Sequence, residues 1–133
     1  MPKGDPQVLK ISWDGYMKLV DQLCIRLTDL QKVDTVKVIR GIPRGGSILA
    51  VILSHRLGIP LQDLTNDHRQ PILWVDDIVD TGATVSSYLI PEEDIVASLC
   101  YRYGCPVVPD AYALLVEPGV HIQFPYESDR STY

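Results

Sequence analysis

Cysteine is scarce in this sequence, basic residues are outnumbered, and no long apolar run occurs; each shortage removes a class of protein. The three cysteines, Cys24, Cys100 and Cys105, are odd in number and never fall in Cys-x-x-Cys spacing. They supply neither a disulfide framework nor a zinc site and read as buried thiols. Twelve lysines and arginines stand against seventeen aspartates and glutamates, a net charge of −5. Such a chain lacks the basic face that neutralises a phosphate backbone, so nucleic acid is not an expected partner. No apolar run approaches the roughly 20 residues that span a bilayer, and Met1-Pro2-Lys3-Gly4-Asp5 has no apolar signal core. A membrane is not an expected partner either, and a cytoplasmic location is expected.

What is present is the composition of an ordinary globular protein: 133 residues, 46% hydrophobic and 22% charged. That length predicts one domain over 1–133, with 1–6 a loose arm and 128–133 a polar tail. A short strand is expected over 8–11, then a helix capped by Ser12 and running to about Leu30, because apolar residues recur there at three- and four-residue steps. Residues 33–39, rich in valine and isoleucine, read as a strand. Arg40-Gly41-Ile42-Pro43-Arg44-Gly45-Gly46 reads as a loop before a helix over 47–57, which Gly58-Ile59-Pro60 stops. Further strands are expected over 61–65, 95–101 and 112–116, with 119–127 a turn-rich aromatic segment.

The most informative stretch is 72–84. Ile72-Leu73-Trp74-Val75 suits a strand buried on both faces, as in a parallel sheet covered by helices. It meets the carboxylates Asp76 and Asp77, and then Asp80-Thr81-Gly82-Ala83-Thr84, small residues before a segment, 85–90, able to begin a helix at Thr84. Glycine backbone and a helix N-terminus make an anion cradle. A bare phosphate would be repelled by the acids, whereas a ligand carrying ribose hydroxyls and phosphate, with Mg²⁺ between, satisfies both halves. A generic strand-turn-helix with exposed acids explains the apolar pattern but not the order D-D-x-x-D-T-G-x-T. Strand, Gly-rich loop and helix occur twice, which places two ligand loops at the carboxyl edge of one sheet.

Residues 72–84 resemble the phosphoribosyl-diphosphate (PRPP) motif of the type I phosphoribosyltransferases. Pro43-Arg44-Gly45-Gly46 resembles the diphosphate loop of the xanthine-guanine and hypoxanthine branch, which often contains a non-proline cis peptide. The resemblance extends over about 8–127, although only these two loops carry strong motifs. It implies an α/β fold with a mostly parallel central sheet flanked by helices, and a homo-oligomer, for which aromatics near Tyr101 and Tyr103 would serve.

The resemblance also implies roles. Asp76 and Asp77 would hold ribose hydroxyls and Mg²⁺; Thr81, Gly82, Ala83 and Thr84 would cradle the 5′-phosphate; Pro43, Arg44, Gly45 and Gly46 would face diphosphate. Asp80 would accept the proton from purine N7. At the base end, Arg102 aligns with a lysine that contacts the purine 6-oxygen, His121 with a tryptophan that stacks on the base, and Ile122 with backbone contacts to its edge. Both key side chains differ from the branch pattern. Arg102 reads equally as a surface arginine, His121 as a surface histidine, and Phe124 and Tyr126 as core aromatics. The implied reaction takes Mg-PRPP and a 6-oxopurine to a nucleoside monophosphate and diphosphate. The alternatives are a non-catalytic PRPP or nucleotide sensor on the same fold and a transferase for another base. One departure is large: where the family carries a long flexible hood loop, 66–71 offers only a hairpin-length connection, so the hood is shortened or absent.

Overall fold

In the computed structural model, which describes residues 7–62 and 70–127, Ser12 starts the first helix by accepting the Gly15 amide at 3.0 Å. Helix α1 (Trp13–Asp29) places Asp14 in its first turn, where the helix dipole favours an anion, and buries Tyr16, Val20, Leu23 and Leu27 along one stripe. Helix α2 (Gly45–Leu57) ends on Gly58 in the left-handed conformation, as expected. The strands are β1 (Gln7–Lys10), β2 (Val38–Gly41), β3 (Ile72–Val79), β4 (Ile95–Arg102), β5 (Ala111–Val116) and β6 (Val120–Gln123), with the short helix α3 (Ala83–Ser87) after β3.

The main sheet has the order β2-β3-β4-β5, all parallel, and β1 pairs with β6 in a separate parallel ribbon. Parallel strands need crossovers, and α2 and α3 supply two of them. Tyr16, Leu23, Leu49, Leu53, Leu73, Val75 and Leu99 belong to the larger core, which joins α1 and α2 to the sheet. Ile72, Trp74, Val79, Val85 and Tyr101 form the smaller core on the other side. Each fully buried leucine contributes about 2 kcal/mol of apolar burial. β3 is thus covered on both faces. Cys100 and Cys105 are buried and Cys24 half-buried, all as free thiols. No helix among the described residues is long and apolar enough to cross a membrane.

Several boundaries differ from expectation. Residues Gln31–Thr35 form a 3₁₀ turn, and the strand expected from Val33 starts at Val38. The β-branched residues there serve burial rather than a sheet ladder: Val33 and Val36 pack into the larger core. β3 runs through Asp76 and Asp77 to Val79, because β4 continues alongside it, pairing Asp76 with Ser98 and Val79 with Tyr101. α3 begins at Ala83 behind a Gly82 cap and stops at Ser87, well short of Ile90. Its threonine, valine and serines are weak helix formers. The segment over 119–127, expected to be turn-rich, contains β6, which pairs with β1 near the start of the chain.

The expected strand over 61–65 is a single bridge from Leu61 to Ile39 among the described residues; 63–65 and 66–69 of the connection over 66–71 lie outside them, as do 1–6 and 128–133. Leu61 and β3 both run parallel to β2, and from Ile39 they lie on its opposite sides. They are therefore not the neighbouring strands that a hairpin-length joint would link. Tyr103 is exposed, but Tyr101 is buried, with its ring 5.0 Å from Tyr112 and its hydroxyl on the Cys105 carbonyl, so it offers nothing to a partner subunit.

The Tyr16 hydroxyl is buried and has no hydrogen-bond partner among the described residues. Burial, and then the charge of Asp77, push its ionisation well above the usual tyrosine range. Tyr16→Phe removes an unsatisfied hydroxyl while keeping the ring, so the variant should be more stable by about 1 kcal/mol in urea denaturation.

Candidate active site

The carboxyl ends of β2, β3 and β4 deliver their following residues to one edge of the sheet, where an open α/β sheet builds its crevice. At the end of β2, the Ile42 amide donates to the Val75 carbonyl at 2.8 Å, docking the first loop against β3. The peptide bond between Pro43 and Arg44 is cis, as the family resemblance implied. Helix α2 begins immediately at Gly45, where only a glycine fits: an added Cβ would lie 1.8 Å from Asp77 Oδ2.

The two acids of β3 are held differently. Asp76 is buried, and its Oδ1 accepts the Asp77 amide at 2.8 Å. Its ionisation is pushed up to about 8, first by burial, then by its hydrogen bond with Asp77 and by the charge of that neighbour. Asp77 is half-buried; its Oδ1 accepts the Ile78 amide at 2.8 Å and its Oδ2 accepts the Tyr126 hydroxyl at 2.8 Å. Beyond β3, Gly82 at φ 84° turns the chain into α3, and Thr81 Oγ1 accepts the Ala83 amide at 3.3 Å. Arg102, at the end of β4, donates from Nε to Asp80 Oδ1 at 2.9 Å and from Nη1 to the carbonyls of Glu117 and Val120.

These parts surround one cleft of about 440 Å³. Pro43, Arg44 and Gly45 line it from the first loop; Asp76, Asp77, Asp80, Thr81, Gly82 and Thr84 line it from the second. Arg102, His121 and Ile122 close the third side. Two residues of these loops stand outside the lining. Gly46 does not line the cleft, because it packs against β3, where a Cβ would meet the Val75 carbonyl oxygen at 2.4 Å. Ala83 also lies outside the lining, as the exposed first residue of α3. Arg102 is no free surface arginine, since its guanidinium ties Asp80 to the loop before β6. Sequence reading missed Phe124 and Glu127 as cleft residues, and the hydroxyl of Tyr126 as a partner of Asp77. The alternation Val120-His121-Ile122-Gln123 was the available sign that a strand turns this segment toward the cleft.

No group of three or more histidine, cysteine or acidic side chains gathers as a metal site among the described residues. Mg²⁺ does not require one: it keeps several waters and takes one or two carboxylates together with substrate phosphates. The donor set fits such an ion, for Asp76 and Asp77 are hard oxygen ligands whose crowding a cation would relieve.

No protein-family model matches the chain. The xanthine-guanine phosphoribosyltransferase of Chromohalobacter salexigens is 29% identical over 142 residues, spanning 91% of this chain and 85% of that protein. The crystal structure of a purine phosphoribosyltransferase from Pyrococcus horikoshii superposes with a TM-score of 0.76 at 27% identity, covering 95% of this chain and 98% of its own. The fold is that of the type I phosphoribosyltransferases. The xanthine-guanine-hypoxanthine phosphoribosyltransferase of Helicobacter pylori shares it, with a TM-score of 0.76 at 21% identity over 92% of this chain and 94% of that one. Within this phosphoribosyltransferase fold, both sequence motifs stand at the carboxyl edge where the repeated strand, loop and helix put them.

The raised ionisation of Asp76 has a measurable sign. The unfolded carboxyl titrates near about 4, so the folded chain binds an extra proton between there and about 8, and stability falls as pH rises across that interval. With a chelator present, the melting temperature should decline from about pH 5 to about pH 8, and Asp76→Asn should flatten that decline.

Proposed function

We propose that this chain transfers the 5-phosphoribosyl group of Mg-PRPP to a 6-oxopurine, giving the nucleoside monophosphate and diphosphate. The observation that carries the reading is the meeting of the Arg-Gly-Gly loop, the acids of the PRPP motif and the Arg102–Asp80 pair around one cleft. The names of the bacterial and archaeal relatives support the same reaction class.

Thr81, Gly82 and Thr84 bind the 5′-phosphate, and Asp77 with Asp76 orients the ribose hydroxyls. Mg²⁺, held by these carboxylates, would neutralise charge on the diphosphate. Arg44 and the backbone of Gly45 face the leaving group, whose departure gives the ribose carbon oxocarbenium character. Asp80 Oδ1 is taken by Arg102, which leaves Oδ2 to accept the proton from purine N7. Arg102 Nη2 has no hydrogen-bond partner among the described residues and serves as donor to the 6-oxygen. His121, exposed at the rim, offers its ring to the base, and Ile122 its backbone. Residues 63–71 leave little chain to close over the cleft, so turnover should be slow and prone to loss of PRPP to water.

Diphosphate release measured with PRPP, Mg²⁺ and each of guanine, hypoxanthine, xanthine, adenine and uracil should show activity with the 6-oxopurines and none with the other two bases. Silence on every base together with tight nucleotide binding would make the chain a regulator instead. Asp80→Asn should lower kcat by about 100-fold with PRPP affinity unchanged; near-normal turnover would remove Asp80 from its role.

A further inference from the structure

Tyr126 does not line the cleft, yet its hydroxyl reaches the carboxylate at the cleft's centre. Its ring lies flat against Phe124, with centroids 5.5 Å apart and planes 2° from parallel. Tyr16 of α1 meets it edge-on at 6.0 Å, and Trp13 packs at 6.2 Å. Aromatic rings on several sides thus fix where the phenol points, and it points to Asp77 Oδ2 at 2.8 Å.

The contact point is shared with the diphosphate loop. A Cβ built on Gly45 would come within 2.8 Å of the Tyr126 oxygen as well as 1.8 Å of Asp77 Oδ2, so hydroxyl, carboxylate and helix start converge on one spot. Asp77 Oδ1 is fixed by the Ile78 amide. Both oxygens of a half-buried acid are therefore held, one by its own strand and one by a residue near the far end of the chain.

We propose that Tyr126 is a positioning residue: it sets the Asp77 carboxylate for PRPP and so ties the base segment over 121–127 to the ribose-phosphate end of the cleft. This inference rests on the function proposed above. Losing the hydroxyl frees Asp77 Oδ2 to swing toward the first loop, which weakens PRPP more than base.

Tyr126→Phe keeps the ring and its stack and deletes only the donor. Calorimetric titration with PRPP and Mg²⁺ should show the dissociation constant rising about tenfold, the scale of a lost hydrogen bond to a charged acceptor. KM for PRPP should rise with it, while KM for the base stays at its wild-type value. Tyr16→Phe, which deletes a neighbouring hydroxyl without a partner, is the matched control and should leave PRPP affinity unchanged. Unaltered PRPP affinity in Tyr126→Phe would overturn the inference alone. So would an equal loss in Tyr16→Phe, or an equal rise in KM for the base. Wild-type protein that neither binds PRPP nor releases diphosphate would overturn the proposed function, and this inference with it.

Discussion

Everything in this cleft depends on β3 holding its ladder through two acidic residues. Asp is a poor strand former, and an isolated segment would break at Asp76. It continues because β4 pairs with it as far as Val79 and because the residues before the acids are locked into both cores. The ladder brings two carboxyl groups to the carboxyl edge in rigid backbone rather than on a loop. A loop would let them part; a strand compels them to share a site at the electrostatic cost seen in Asp76.

The opposite end of β3 is secured in a complementary way. Asp94, buried, accepts the Ile72 amide at 3.0 Å and the Trp74 indole at 2.9 Å. Lys32, from the 3₁₀ turn after α1, donates to the carbonyls of Glu92 and Asp94. The 3₁₀ turn therefore steadies the segment that anchors β3, and the strand is fixed at its start by these hydrogen bonds and at its middle by the first loop, through Ile42 on Val75.

Much of this was legible in the residues because the motif is contiguous. Asp76, Asp77, Asp80 and the Thr81-Gly82 turn are local in sequence, and a local signal survives without knowledge of the fold. The misreadings were of interactions between distant positions. Val33 and Val36 look like strand residues until α1 covers them. β6 is legible only once β1, more than a hundred residues earlier, lies beside it. Arg102 as partner of Asp80, and Tyr126 as partner of Asp77, are invisible in spacing, since each bond joins elements that only the sheet brings together. Gly45 and Gly46 read alike as loop glycines, yet one makes room for a carboxylate and the other for a strand carbonyl.

The chain's two tryptophans stand in contrasting surroundings. Trp74 is buried, with the Arg40 guanidinium 5.5 Å from its ring and the ring of Tyr88 at 5.2 Å, and it belongs to the smaller core. Trp13 is half-exposed and touches Tyr126. One indole stands in a dry site against a cation and the other in a wet one beside Tyr126. Because a dry indole and a wet one differ in emission, the protein carries two native optical probes of unlike surroundings.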